Sequence, residues 1–307
     1  MPTQRETRRS FRGIVPPLVT PLLQPDQLDV AGLERLLTRI LTAPVAGVFV
    51  LGTTGEGPNL SHRLRRELIE RSVKFVAGRV PVLVGITDTS MADSAALADY
   101  AADRGADAVV VAPPYYHKPT PVELRRWLAT LAPRVPLPLY PYNMPAHTRT
   151  VFDVDTLKLA MDLPNCPGFK DSGGDITYFE SVLRLRDQHR PDWRVFIGPE
   201  HLTRKATALG GDGGVNGGAN VFPKLFTDLF TAADAKDDAT ADRLQQTVET
   251  FGGIYRLGEG ESSVIRGLKA ALSVVGICTE CSAEPWEPLN AEAMAEVKRI
   301  LECVNNN

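Results

Sequence analysis

The segment CPGFKDSGGD, residues 166–175, places a lysine where it could carry out chemistry. Lys170 follows a short apolar run and precedes Asp171 and two glycines. A free lysine has a pKa of about 10.4, but burial penalises the ammonium and can lower that pKa by several units. A neutral amine attacks carbonyl carbons and forms a Schiff base. The alternative is a lysine that pairs with Asp171 or extends its charged end to water.

Two other segments carry groups that would assist such an amine. GTTGE, residues 52–56, offers the hydroxyls of Thr53 and Thr54 and backbone N–H groups that can hold a carboxylate. YPYNMPAHT, residues 140–148, carries Tyr142, and a tyrosine can relay protons during carbonyl chemistry. The structural alternatives are a turn that caps a helix and an aromatic side chain that lines a core. A Schiff base to a 2-keto acid needs an amine, a proton relay and a carboxylate site together.

The elements that would position these groups alternate along the chain. Eight short apolar runs, from GIVPPLVT to GGVNGG, are each followed by an amphipathic helical stretch. Eight units predict an α/β fold, a closed TIM (β/α)8 barrel, and no GxGxxG follows the first strand to favour an open sheet. Three further amphipathic stretches predict helices. We therefore expect a barrel domain over residues 1–235 and a C-terminal three-helix domain over residues 236–307.

The barrel would bring the three segments to one face. Catalytic groups of such barrels lie at the carboxyl ends of the strands. Lys170 and Tyr142 end predicted strands, and GTTGE follows another. The sequence therefore predicts one site at the mouth of the barrel.

Composition and charge exclude several other classes of protein. The chain has 307 residues, 43% hydrophobic and 23% charged, with a net charge of -3. This charge favours neither nucleic acid nor an anionic membrane, and no apolar window has the length of a membrane span. Four arginines near the start, Arg5, Arg8, Arg9 and Arg12, are not followed by an apolar stretch and favour a flexible basic arm over a signal peptide. We expect a cytoplasmic protein.

Cysteines and histidines offer two alternatives to lysine chemistry. Cys278 and Cys281 form a lone CxxC without the second pair of a zinc ribbon or the context of a redox motif, which favours incidental thiols. His117, His147 and His201 follow predicted strands, so three loop histidines could bind zinc. Their spacing is not diagnostic, and no HxH pair or acidic cluster accompanies them.

Four segments together resemble a known superfamily. GTTGE, PPYYHKP, YNMPAHT and GFKDSGGD, in this order and spacing, resemble the dihydrodipicolinate synthase/N-acetylneuraminate lyase superfamily of class I pyruvate-dependent aldolases. The resemblance extends from about residue 11 to the LKAAL segment. It implies a TIM barrel with a C-terminal helical domain, and a homotetramer or homodimer. It also implies that Lys170 forms a Schiff base with pyruvate or another 2-keto acid, that an aldehyde is the second substrate, and that no metal or organic cofactor is needed.

The resemblance also implies roles for other residues. Tyr142 would relay protons, while Thr53 and Thr54 would bind the keto-acid carboxylate and support the relay. Tyr116, in PYYHKP, matches a position that in several members reaches into the relay of a neighbouring subunit. Val215, in GGVNGG, matches a residue that lines the pocket near the lysine.

Departures from the family pattern bear on the substrate. In dihydrodipicolinate synthases an arginine after the relay tyrosine grips the carboxylate of aspartate semialdehyde, whereas His147 takes that place here, with Arg149 two residues on. A histidine is shorter and mostly neutral at neutral pH, so it replaces a bidentate clamp poorly. Glu200, in IGPEH, matches acidic residues that contact sugar hydroxyls in sialic-acid lyases; the alternative is an acid that starts a helix. Gly52 and Gly198 complete the expected substrate-binding set.

These features predict a lyase or aldolase that cleaves or forms a hydroxylated 2-keto acid, of the sugar-acid or 4-hydroxy-2-oxoglutarate type, with pyruvate as partner. One alternative is dihydrodipicolinate synthase proper. Another is a 2-keto-3-deoxy sugar-acid dehydratase, because the same imine acidifies the adjacent C–H and can expel a hydroxyl. A keto-acid-binding protein without turnover is a more remote alternative, and the presence of both Lys170 and Tyr142 disfavours it.

Overall fold

The strands of the protein form one large parallel sheet and one small hairpin. The computed structural model describes residues 11–306. In this part of the chain the strands are Leu22–Gln24 (β1), Gln27–Leu28 (β2), Val48–Val50 (β3), Val82–Gly85 (β4), Ala108–Val111 (β5), Leu139–Asn143 (β6), Gly168–Asp171 (β7), Arg194–Ile197 (β8) and Gly213–Gly214 (β9). β1 and β2 form an antiparallel hairpin that the sequence did not predict. β3 to β9 lie parallel in sequence order.

Helices follow the strands and continue beyond the last of them. The α-helices of the described residues are Val30–Ile40 (α1), His62–Val76 (α2), Met91–Asp103 (α3), Pro121–Leu131 (α4), Pro145–Thr148 (α5), Val154–Asp162 (α6), Ile176–His189 (α7), Thr203–Ala208 (α8), Pro223–Asp234 (α9), Asp238–Phe251 (α10), Ser263–Val274 (α11) and Ala291–Asn305 (α12). Many begin at side-chain caps; at α4 the side chains of Thr120 and Glu123 form a reciprocal capping box.

Residues 13–18 close the sheet into a barrel. Val15 N donates to Gly214 O over 2.8 Å on one side, and Leu18 N donates to Phe49 O over 2.7 Å on the other. This segment is the predicted first strand, but its two prolines lack N–H donors and leave only an isolated bridge to β3. The predicted TIM barrel is therefore confirmed, with an irregular first strand.

Strand alternation sorts the buried residues into two layers. Val48 and Val50 pack against the surrounding helices, whereas Phe49 between them packs inside the barrel. The interior also holds Tyr140 and Phe196, from β6 and β8. The inward positions near the carboxyl ends of these strands carry the candidate site.

Three C-terminal helices pack beside the barrel, as predicted. α10, α11 and α12 follow α9, and α10 packs against it. The predicted domain boundary at residues 235–236 falls between α9 and α10 and stays a prediction. None of the helices in residues 11–306 is long and apolar enough to cross a membrane.

The predicted basic arm is only partly within the described residues. Arg5, Arg8 and Arg9 lie outside them. Arg12 does not belong to a flexible arm, because its guanidinium donates to both carboxylate oxygens of Asp234, at 2.7 and 2.6 Å. It also lies over the ring of Phe230. Arg12 therefore fixes the start of the first strand to α9.

Candidate active site

Lys170 and Tyr142 lie side by side inside the barrel. They are register partners in the parallel pairing of β6 with β7. Lys170 is only 6% exposed, and its Nζ lies 3.9 Å from the ring centroid of Tyr142 and 5.2 Å from that of Phe49. The amine is therefore enclosed by aromatic rings, with the phenol within reach of any group that bonds to it.

Burial governs the protonation of this amine. Desolvation lowers the pKa of Lys170, while its interactions with Tyr142 and Asp171 act in the opposite direction. A lower pKa raises the fraction of neutral, nucleophilic amine at neutral pH. Lys170 therefore has the environment that an imine-forming lysine requires.

Asp171 points away from Lys170, as neighbouring residues of a strand do. Its Oδ1 accepts hydrogen bonds from Asn143 Nδ2 at 2.7 Å and from Gly173 N at 3.0 Å. Burial raises the pKa of Asp171, and these two bonds oppose the rise. Asp171 thus holds the ends of β6 and β7 together, and the alternative of a Lys170–Asp171 ion pair is not the geometry found.

The GTTGE loop brings a threonine to the tyrosine. Thr53 Oγ1 lies 3.4 Å from the Tyr142 hydroxyl, and either oxygen can be the donor. The Thr54 hydroxyl faces Gly217 instead, 3.7 Å from the position that a Cβ on this glycine would take. The structure therefore joins Lys170, Tyr142 and Thr53 in one row, as the sequence predicts.

The backbone of this loop is strained and held from the C-terminal region. Leu51 and Glu56 adopt positive φ angles of 60° and 59°, which residues with a side chain rarely do. Glu56 is fully buried and forms an ion pair with Lys269 of α11. Its Oε2 accepts a hydrogen bond from Ala283 N at 2.6 Å. The turn that presents Thr53 thus depends on a carboxylate that the sequence analysis did not single out.

A cavity of about 270 Å³ adjoins the aromatic rings that enclose the Lys170 amine, although Lys170 itself is not among its lining residues. Phe49 and Tyr142 belong both to its lining and to the rings around the lysine amine. Gly52 and Thr53 line it on the side of the GTTGE loop. A larger groove on the outside of the barrel, between α1 and the start of α9, lies away from these residues. The cavity next to the rings around Lys170 is therefore the candidate substrate site.

Part of the cavity wall comes from regions that the sequence analysis left out. Glu261, Ile265 and Trp286 line it from α11 and its flanking segments, and Tyr115 and Thr87 line it from barrel loops. Tyr115 stands next to the predicted Tyr116, and burial raises its pKa. Alternation gave no signal for Tyr115, because the inward positions of β5 and its extension are Ala108, Val110 and Ala112, and a bend at residues 115–117 ends that pattern. No signal exists for the C-terminal residues either.

His147 lines the cavity, and Arg149 does not replace it. His147 Nδ1 lies 3.0 Å from Glu261 Oε2. Arg149 has a positive φ of 56°, and its Nη2 donates to the carbonyls of Tyr115 and Tyr116 at 3.3 and 2.9 Å. The guanidinium thus supports the loop of residues 115–116 instead of lining the cavity.

Val215, Gly198 and Glu200 lie on the far side of the lysine. Val215 lines the barrel interior together with Lys170. Gly198 N donates to Asp171 O at 2.7 Å, so this glycine joins β8 to β7. Both carboxylate oxygens of Glu200 accept from Tyr255 Oη at 2.9 Å, and Oε1 also accepts from Gly218 N at 2.6 Å. The Glu200 carboxylate therefore joins the loop after β9 to the segment between α10 and α11 instead of lining the cavity.

Tyr116 is the one predicted catalytic residue that stands apart. Its side chain is 72% exposed and its ring lies edge-on to His117, with 4.9 Å between centroids. The structure of the single chain therefore does not bring Tyr116 to Tyr142.

The histidines and cysteines do not gather into a metal site. Among residues 11–306, no three His, Cys, Asp or Glu side chains are placed so that they could hold a metal ion. The zinc alternative built on His117, His147 and His201 therefore lacks a ligand cluster. Cys278 is a free thiol whose pKa burial raises to about 11, so it stays protonated at neutral pH.

Comparisons with known proteins agree with this site. A family model described as the dihydrodipicolinate synthetase family matches residues 10–304. The chain belongs to this family. It is 36% identical over 208 residues to the 4-hydroxy-tetrahydrodipicolinate synthase of Salinibacter ruber, covering 67% of this chain and 68% of that one. With the enzyme of that name from Phenylobacterium zucineum it is 33% identical over 287 residues, covering 94% and 95% of the two chains.

A solved structure gives the same assignment in three dimensions. The dihydrodipicolinate synthase of Bacteroides thetaiotaomicron superposes with a TM-score of 0.91 and 44% identity, over 95% of this chain and 98% of that one. The family resemblance predicted from four motifs is thereby confirmed. As a dihydrodipicolinate synthetase family member, the chain is an enzyme of a pyruvate-dependent lyase and synthase class.

Proposed function

We propose that the chain is a Schiff-base-forming lyase that joins pyruvate to an aldehyde, or cleaves the product of that union, through Lys170. The observation that carries this proposal is the buried amine with a lowered pKa, 3.9 Å from the centroid of the Tyr142 ring, which also lines a cavity of about 270 Å³. Burying a lysine without a partner carboxylate costs folding free energy, which disfavours a purely structural role. Imine formation, in contrast, requires a buried lysine that can lose its proton.

The chemistry uses groups that the barrel already aligns. The neutral amine of Lys170 adds to C2 of pyruvate, and the resulting carbinolamine loses water to form the imine. Loss of a proton from C3 gives an enamine, which attacks the aldehyde carbon and forms the new C–C bond. Hydrolysis of the imine then releases a 4-hydroxy-2-keto acid and restores the amine.

Tyr142 and Thr53 serve these steps as a proton relay. Tyr142 gives a proton to the departing carbinolamine oxygen and to the aldehyde oxygen, and the Thr53 hydroxyl, 3.4 Å away, exchanges protons with it. The carboxylate of pyruvate binds along the loop of Gly52, Thr53 and Thr54, where hydroxyl and N–H donors are available.

The identity of the aldehyde separates two candidates. Relatives named 4-hydroxy-tetrahydrodipicolinate synthase favour aspartate semialdehyde and make synthase activity the second candidate. The prediction of a sugar-acid substrate, for an aldolase or a dehydratase, depended on Glu200. The hydrogen bonds from Tyr255 and Gly218 hold that carboxylate away from the cavity. The support for a sugar-acid substrate is therefore weaker than the sequence indicated.

Borohydride trapping tests the imine directly. The protein is incubated with pyruvate, reduced and digested, and the adduct is located by mass spectrometry. We expect a reduced pyruvate adduct on Lys170, and none in Lys170→Ala, whose fold is checked by circular dichroism. A wild-type protein without an adduct, or an adduct on another lysine, would remove the proposal. Turnover of aspartate semialdehyde with pyruvate would establish the synthase.

We also propose a homo-oligomer, a dimer or tetramer, that works in the cytoplasm. Four large hydrophobic side chains with more than half of their surface exposed lie in two neighbouring segments: Tyr116, Val122, Val151 and Val154. Arg149 joins the two segments through Tyr116 O. Such a patch is typical of a surface that another subunit covers. The cytoplasmic location rests on the sequence alone.

A further inference from the structure

The part of the cavity beyond the Lys170 amine has an apolar wall. Trp286 and Ile265 line it from the C-terminal region, and Tyr115 and Met144 line it from the barrel loops. In the proposed reaction pyruvate is bonded to Lys170 beside Thr53, and these four side chains make up much of the remaining wall, together with short polar side chains such as Thr87 and Thr148. An apolar wall binds apolar groups and penalises a charge that loses its water there.

The charges around this space do not suit an anionic partner. Among the described residues that line the cavity, the ones with ionisable acid or imidazole side chains are Glu261 and His147, and they are hydrogen-bonded to each other at 3.0 Å. No lysine or arginine is among those lining residues. Arg149, the nearest candidate in sequence, donates to the carbonyls of Tyr115 and Tyr116.

The penalty for an anion comes mainly from desolvation. The Glu261 side chain is 74% exposed, so water screens its repulsion of a substrate carboxylate. A carboxylate set against Trp286 and Ile265 would lose water without gaining a cationic partner. An uncharged aldehyde escapes this cost and gains from the apolar contact.

The size of the space also limits the partner. An apolar cavity of about 150 Å³ holds one benzene molecule. The cavity here, at about 270 Å³, therefore has room for the three carbons of pyruvate and one ring of that size. Trp286 and Tyr115 supply aromatic faces and edges against which a planar ring packs favourably.

We propose that the aldehyde partner is an uncharged molecule with a planar, apolar body, of the benzaldehyde class. This inference rests on the proposed function. The enamine C3 bonds to the aldehyde carbon, the aldehyde oxygen takes a proton from Tyr142, and hydrolysis of the imine releases a 4-aryl-4-hydroxy-2-keto acid. The Trp286 and Ile265 wall selects the partner, and the Lys170 and Tyr142 floor performs the reaction.

A competition among four aldehydes tests the proposal. The enzyme is given pyruvate with benzaldehyde, glyceraldehyde, glyoxylate or aspartate semialdehyde, and the adducts are quantified by mass spectrometry. We expect kcat/KM for benzaldehyde to exceed those for the three polar aldehydes by about tenfold or more, the factor that apolar pockets give. A preference for any of the other three would overturn the inference. If borohydride also traps the pyruvate imine, that result leaves the proposed function standing; a missing imine would overturn both.

Two pairs of variants assign the selectivity to the wall. Trp286→Ala should lower kcat/KM for benzaldehyde by about tenfold without changing the rate of imine trapping, and Trp286→Phe should retain most of it. Glu261→Arg should shift the ratio of glyoxylate to benzaldehyde turnover towards glyoxylate. Glu259→Arg, a matched change at an exposed position two residues away, should leave the ratio unchanged. An unaltered ratio in Glu261→Arg, or an equal shift in Glu259→Arg, would contradict the role of the rim.

Discussion

A fully buried ion pair joins the GTTGE loop to the C-terminal helices, and removing one of its members should weaken both stability and catalysis. Lys269 and Glu56 each have 0% side-chain exposure. Lys269 Nζ also donates to Cys281 O at 2.5 Å, and Glu56 Oε2 accepts from Ala283 N at 2.6 Å. The pair thus holds three chain segments together.

Lys269→Met leaves the Glu56 carboxylate buried without its cation. Two opposite charges about 4 Å apart attract by about 4 kcal/mol at an effective dielectric constant of about 20, and this pair is closer. Breaking a buried pair costs about 3–5 kcal/mol, because the remaining charge stays desolvated. The Cys281 carbonyl also loses its donor. We expect the free energy of unfolding to fall by about 3–5 kcal/mol.

Urea denaturation measures this loss, with fluorescence and circular dichroism compared to check that the transition has two states. The double variant Glu56→Gln/Lys269→Met keeps an acceptor for Ala283 N and removes both charges, so it should recover much of the loss. Thr53 shares the strained loop, so kcat should fall in the single variant more than KM rises. A loss below about 1 kcal/mol, or a double variant less stable than the single one, would refute the role assigned to the pair.

Further predictions concern the site and the surface. Tyr142→Phe should lower kcat by about 10²–10⁴-fold in steady-state assays with an otherwise intact fold, and near-normal turnover would dismiss the relay. Burial lowers the pKa of Lys170 in the folded state, so the unfolded chain takes up this proton first as the pH falls from about 10. The free energy of unfolding of the wild type therefore decreases over the range between the ordinary and the lowered pKa. Lys170→Met should therefore gain stability over the wild type as pH falls in this range, and urea midpoints that stay parallel across the pH series would contradict it. Burial raises the pKa of Glu200 from its ordinary 4.5 to about 7. The stability that the protonated Glu200 carboxyl gives to the fold is therefore complete below pH 4.5 and is lost as the pH rises through about 7. Glu200→Gln should gain stability relative to the wild type over that rise, which thermal unfolding at several pH values would show or refute. Tyr116→Asp should reduce the oligomer to smaller species in light scattering if another subunit covers this surface, and an unchanged mass would place the interface elsewhere.

The positions of Lys170 and Tyr142 inside the barrel were predictable because strand alternation and barrel topology fix the direction of their side chains. Lys170 and Asp171 are adjacent, so one had to face the interior and the other the helices, and Tyr142 became the register partner of Lys170 when β6 paired with β7. The irregular first strand has a local cause, since two consecutive prolines cannot continue a hydrogen-bond ladder. The β1–β2 hairpin lies where the sequence showed only a link between a strand and a helix.

The roles of residues that depend on long-range packing could not be predicted from the sequence. Glu200 follows a strand as an active-site acid would, but its role is set by Tyr255, which lies 55 residues further along. Trp286 and Ile265 reach the cavity through the packing of α11 and the segment after it, and no periodicity of one segment reports such an encounter. Glu56 looked like the end of a ligand-binding turn because its partner, Lys269, is over two hundred residues away.

The residues that the sequence predicted and those that it did not predict belong to different parts of the molecule. The groups to which we assign imine formation stand on barrel strands, whose alternation directs them inward whatever the surrounding sequence. Part of the wall proposed to meet the second substrate belongs to the C-terminal region, and the Glu56–Lys269 pair joins that region to the GTTGE loop. Substitutions in the wall can therefore change the aldehyde without disturbing the amine, whereas loss of the buried pair should disturb both at once. The ratio of two aldehydes' turnover, set against the rate of imine trapping, separates these two kinds of change in a single enzyme preparation.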